Sequence, residues 1–166
     1  MSSYTKVIIF ILVLIIFSVT VIYLYNSENA MNEVMPEISS YIAKGDSDYN
    51  EAVKLLNGKN YNEARNKAIS AQNNFNHSMS LLLSIKDNFT SDTGDIHKNY
   101  INTVLSELGL KINATEYLLK AINCYQNYEN STGNGYAEQA NSIMKNALDF
   151  QKVRVDLVKN NTKLFK

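Results

Sequence analysis

Apolar side chains fall into two regimes along this chain: one unbroken block near the N-terminus, then four stretches where they recur every third or fourth residue. The second spacing places side chains on one face of an α-helix. The first periodic stretch, Ile38, Ile42, Gly45, Tyr49, Ala52 and Leu56, predicts a helix over 36–57 with Pro36 in its first turn. Gly45 to Asp48 offers a competing stop, with Gly45 as a C-cap and Asp48-x-x-Glu51 as a capping box, but the apolar phase carries through it. Asn57-Gly58-Lys59-Asn60 supplies a turn. The second stretch, Ala64, Ala68, Ala71, Phe75, Met79, Leu82 and Phe89, grades from small to large side chains and ends at TSDTGD, residues 90–95. A third helix carries Ile101, Leu105, Leu108, Ile112, Leu119, Ile122 and Tyr125, runs to about Glu129 and has Gly109 as its weak point. NSTGNG, residues 130–135, reads as a loop, and a last helix follows with Tyr136, Ala140, Ile143, Ala147, Phe150, Leu157 and Val158.

The N-terminal block, Val7 to Tyr25, is nineteen residues without a charge, fifteen of them Leu, Ile, Val or Phe. As a helix it spans about 28 Å, close to the hydrocarbon thickness of a bilayer. Insertion of those fifteen is favourable by about 5 to 9 kcal/mol. Tyr4 on one flank and Tyr23 and Tyr25 on the other suit the headgroup levels. A cleaved signal peptide fits less well, because the run exceeds the usual apolar core of a signal and no cut site has small residues at both required places. The block is apolar all round, unlike a soluble amphipathic helix, and lacks the small residues of a close-packing membrane dimer. It is therefore expected to be an uncleaved, single-pass signal-anchor. Lys6 before the span, against Lys44 alone in the twenty residues after it, favours an N-terminus inside and a body outside the cytoplasmic membrane.

The expected fold is all-α: an N-terminal transmembrane helix followed by an antiparallel four-helix bundle, or two stacked helical hairpins. The divisions are a short flank 1–6, the anchor 7–25, a juxtamembrane connector 26–35, the bundle 36–161 and a basic tail 162–166. Charge changes this picture little. Residues 145–166 hold six basic and two acidic side chains, and residues 26–144 hold nine and fourteen. That is no field for a nucleic acid, so none is expected as a partner. A single cysteine, Cys124, excludes an internal disulfide. Asparagine reaches twenty-three residues, and five Asn-x-Ser/Thr triplets start at Asn76, Asn88, Asn113, Asn130 and Asn160. These are possible glycosylation sites, although about three are expected by chance at this composition.

Tyr49 to Phe75, YNEAVKLLNGKNYNEARNKAISAQNNF, resembles the helix-turn-helix of a tetratricopeptide repeat: Ala52 and Leu55, Gly58 before the turn, then Tyr61-x-x-Ala64 with Ala68 and Ala71. The resemblance implies a stacked-hairpin interaction surface, and with it Tyr49, Tyr61 and Phe75 as contact residues. No second copy follows at the family's spacing, so the stretch is read as one tetratricopeptide-like corner inside a bundle.

No catalytic residue, cofactor or metal site is expected. His77 and His97 stand about 15 Å apart along the expected antiparallel pair. Asp46-x-Asp48-x-Asn50 begins like a calcium loop but has Glu51 where Gly is required, and reads better as helix-start chemistry. Asp87, Asp92 and Asp95 read as caps and loop. At the basic end, Lys159, Lys163 and Lys166 complement a helix dipole, or with Leu164 and Phe165 touch an anionic surface or acidic partner. The functional expectation is a non-enzymatic, membrane-anchored interaction or structural module whose partners are the bilayer, through 7–25, and an unidentified protein. The alternatives are a ligand-sensing bundle acting through a partner and a tetratricopeptide-like adaptor facing the cytoplasm.

Overall fold

A computed structural model describes residues 34–87, 89 and 94–165. The expected span 7–25 lies outside the described residues, as do Asn88 and Lys166. Among those described, no helix is long and apolar enough to cross a membrane.

Four helices, α1 (34–57), α2 (Tyr61–Asp87), α3 (Asp95–Gln126) and α4 (Asn130–Asn160), account for nearly all of the described chain. They alternate in direction. Ser78 donates to the Ile38 carbonyl while Lys67 reaches Asp48, so α2 runs back along α1. Gln126 bonds Asn62, which pairs the end of α3 with the start of α2. Arg154 bonds Glu107 and His97 meets the Leu164 carbonyl, which pairs α4 with α3. Ile42 and Asp46 of α1 share a cleft with Gln151 and Arg154 of α4 and close the bundle.

The predicted apolar face of α1 is the face it buries: Ile38, Ile42, Gly45, Tyr49, Ala52 and Leu56 are all inside. The helix passes unbroken through Gly45 for a packing reason. A β-carbon there would lie under 3.0 Å from three ring atoms of Phe75, which is itself fully buried. Gly45 is thus the slot into which α2 inserts its largest core side chain. Asp46 and Asp48, read as helix-start residues, sit mid-helix and serve as inter-helix ligands. Asp48 accepts from Lys67 at 2.7 Å, Ser70 at 2.6 Å and Asn74 at 3.3 Å.

NSTGNG is a correction. It forms the first turns of α4, and the reversal occurs at 127–129 instead. Two glycines cost a helix about 1 kcal/mol each, and tertiary contacts override that cost. Gly133 is buried beneath the Tyr125 ring, where a β-carbon would come within 3.2 Å, and the Tyr125 hydroxyl donates to Asn134. Gly133, Ala140, Ala147 and Arg154 recur every seven residues and form the inner stripe of α4. The small members let α4 lie close to α3, so Phe150, expected inside, remains 39% exposed. α3 is the central helix, burying two adjacent columns that include Ile101, Val104, Leu108, Leu118 and Ile122.

Gly45→Ala should lower stability by about 1 to 3 kcal/mol through the Phe75 clash, although helix propensity alone would raise it by about 1 kcal/mol. Chemical denaturation decides the sign. Asp48→Asn carries a pH signature. Burial would raise the Asp48 carboxyl, but hydrogen bonds from Lys67 and Ser70 outweigh it and hold the group below its usual 3.8. Its contribution is therefore present above pH 3.8 and lost as pH falls through the lower folded value. The stability gap between wild type and Asp48→Asn should be widest near neutrality and close in acid.

Candidate functional site

Two features stand apart from ordinary bundle packing. The first is a chain of alternating charges through the middle of the bundle. On α3 the apolar column Ile101, Val104, Leu108, Leu118, Ile122 is interrupted by Lys111, and the neighbouring column by Glu107; both are fully buried. Lys111 Nζ lies 2.8 Å from Asp46 Oδ1 on α1 and 2.9 Å from Glu107 Oε1. Glu107 Oε2 accepts from Arg154 Nε on α4 at 2.8 Å. Lys111 also stands 5.7 Å from the centre of the Phe75 ring, within cation–π reach. Two acids and two bases cancel, so the interior holds no net charge.

A polar-lined cleft of about 140 Å³, bordered by Ser39, Asp46, Gln151 and Arg154 among others, opens onto the outer end of this chain. It is large enough to admit water. Burial pushes the Asp46 carboxyl up, against the pull of Lys111. A raised folded value means a more tightly held proton, so Asp46 favours the fold below pH 3.8 and loses that contribution as pH rises through its folded value. This is opposite in sign to Asp48. Burial disfavours the Arg154 charge, but the Glu107 contact outweighs it and raises the guanidinium.

The second feature is a groove of about 490 Å³ at the end of the bundle where the α1–α2 and α3–α4 turns meet. The two turns are built alike. Lys59 N–H donates to the Leu56 carbonyl and Asn60 N–H to Leu55; sixty-nine residues later Tyr128 N–H donates to Tyr125 and Glu129 N–H to Cys124. Both are Schellman helix ends, in which the pivotal residue is left-handed and usually glycine. Here the pivots are Lys59 and Tyr128, each at φ 63°. Gly58 stands one residue before the first pivot. The Tyr61 and Tyr125 rings stand parallel, 6.2 Å between centres, and line the groove with Gln126 and Glu63. Burial raises the Tyr125 hydroxyl, with Tyr61 and Glu138 adding to it.

The residues singled out from sequence scatter. Tyr49 and Phe75, expected as contact residues, are core: both are buried, and the Tyr49 hydroxyl, which has no hydrogen-bond partner among the described residues, is pushed up to about 12 by burial. Tyr61 alone of that trio borders a groove. Lys159 and Lys163 are exposed at the end of α4, at the opposite end of the bundle. Asn76 and Asn113 are exposed but mid-helix, and their triplet hydroxyls, Ser78 and Thr115, are buried and bonded to helix carbonyls. Asn130 and Asn160 sit exposed at the two ends of α4. His77 lies against Tyr41 and Glu37, and His97 against Phe165 and the Leu164 carbonyl. Among the described residues no three His, Cys, Asp or Glu side chains gather to hold a metal.

Sequence reasoning missed Glu107 and Lys111 because an acid four residues before a base is also the commonest exposed helix pair. The detectable signal was their position in the apolar columns of α3. The twin turns were hidden because both pivots carry side chains. No known protein family, curated protein or solved structure matches this chain.

Glu107 bridges two cations with no access to solvent. Glu107→Ala should cost about 3 to 5 kcal/mol, since it strands Lys111 and Arg154. Lys111→Met, which leaves Glu107 its Arg154 partner, should cost less. Urea denaturation of the two variants tests the order.

Proposed function

We propose that this protein is a membrane-anchored helical module that presents a binding surface away from the bilayer and catalyses no reaction. Residues 7–25 are the anchor in this reading. The observation that carries it is the polarity of the bundle: α1 enters at the end opposite the tyrosine-lined groove. Asn60 and Tyr128 mark one end, whereas Ile38 with Ser78 and His97 with Leu164 mark the other. Twenty-four residues of α1 set those ends about 36 Å apart. In this reading the connector 26–35 joins the anchor to the bundle. The exposed Lys159 and Lys163 lie at the anchor-proximal end, where a cationic segment suits an anionic headgroup layer.

The tetratricopeptide-like reading of 49–75 belongs to the same proposal. Ala64, Ala68 and Ala71 are fully buried and give α1 and α2 the close approach that such hairpins use. The outer surface of α4 adds Leu148, Val153 and Val155, each about half exposed, as further contact area for a protein partner. With the N-terminus inside, as the lysine bias favours, the bundle stands outside the cytoplasmic membrane.

Alkaline carbonate should leave the full chain in the membrane pellet, and protease added to intact cells should remove a C-terminal tag. Release into the supernatant would overturn the anchor. Retention with a protected tag, cleaved only after lysis, would overturn the outward orientation and favour a cytoplasmic adaptor.

A further inference from the structure

The fold gives no reason for a tyrosine at position 128. Its backbone is left-handed, a conformation that strains a bulky residue and that glycine or asparagine would adopt more easily. The side chain is 90% exposed, so burial does not offset the strain. Lys59 repeats the pattern in the sister turn, and both strained residues line the same groove. Strain held in this way gathers at ligand sites.

The lining selects the ligand. The groove lining carries one base, Lys59, and one acid, Glu63, so it offers no cationic cluster for a phosphate and no acidic cluster for a cation. Asn60, Asn62 and Gln126 make it too polar for a hydrocarbon. Aromatic faces beside amides that both donate and accept suit a neutral molecule with an apolar face and many hydroxyls. The hydrogen bond from Gln126 Nε2 to Asn62 Oδ1, 2.8 Å, holds two of those amides across the junction of α2 and α3. The volume lies within the usual range of small-molecule sites, roughly 300 to 1,000 Å³.

We propose that this groove binds a neutral carbohydrate, either free or as the exposed unit of a surface glycan. Tyr128 supplies the stacking face for the C–H side of a pyranose, Tyr61 and Tyr125 supply the aromatic wall, and Asn60, Asn62 and Gln126 bond the hydroxyls. The inference goes beyond the proposed function and stands on the groove alone, whatever the outcome at residues 7–25.

The test uses the full chain in phospholipid nanodiscs, with maltotriose, cellotriose, chitotriose and mannotriose as probes and saturation-transfer NMR as readout. At least one trisaccharide should receive saturation. Tyr128→Gly should weaken its Kd about tenfold or more while raising Tm, because the strain is relieved as the ring is lost. Gln126→Ala should also weaken binding, and Lys163→Ala at the far end should not. Binding of the same sugar by a glycan-bearing polymer but not the trisaccharide would identify the surface-borne form. No saturation of any probe or polymer, binding unchanged by Tyr128→Gly, or a lower Tm in that variant would each overturn the proposal.

Discussion

The structure turns on one constraint, a fully buried acid, Glu107, that lies between two cations. Lys111 and Arg154 surround it, Asp46 completes the chain, and the four residues come from α1, α3 and α4. Away from fitted contacts such as Phe75 against Gly45, apolar stripes specify that helices pack but tolerate sliding by a turn, because one Leu or Ala serves nearly as well as the next. A charge pair does not tolerate it. Shifting α4 by one turn past α3 would move Arg154 about 5.4 Å from Glu107 and leave both desolvated. The charged layer thus acts as a register key, and its net contribution to stability is small beside the penalty it imposes on wrong packings.

Register matters most at the far end. The groove exists only where the α1–α2 and α3–α4 turns meet at one level, with Tyr61 beside Tyr125 and Lys59 and Tyr128 lining the same recess. The two hairpins carry the same Schellman ending on unrelated sequences, and each has a long side chain at the pivot where glycine would best close the turn. The bundle therefore separates its tasks: a keyed, satisfied interior in the middle and strained, exposed side chains at the tip.

The face of α1 was legible because every core position there is apolar or small and keeps helical spacing without interruption; on α2 the reading holds at Ala64, Ala68, Ala71, Phe75 and Leu82, but Ser78 and Ile85 are buried where Met79 and Phe89 were expected. Legibility failed where one contact outweighed local propensity. NSTGNG reads as a loop until Tyr125 is seen to cover Gly133 and bond Asn134. Phe150 reads as core until the small column of Gly133, Ala140 and Ala147 draws α4 close on the other side. The tip was illegible for a different reason: its site joins residues from two turns sixty-nine positions apart, and no local pattern links them. Tyr61 was picked out for its place in a tetratricopeptide-like hairpin, yet its position beside Tyr125 is what gives it a surface to share.

The role of the charged layer is tested most directly by distance. Spin labels at Lys54→Cys on α1 and Glu138→Cys on α4, with Cys124→Ala to remove the native thiol, report how those helices are aligned. The layer is then made neutral by Asp46→Asn, Glu107→Leu, Lys111→Met and Arg154→Met. If the charges set register, the native chain gives one narrow distance and the neutral variant a broadened or shifted one, even where its Tm is equal or higher. An equally narrow distribution at the same distance in the neutral variant would show that apolar packing alone aligns the bundle.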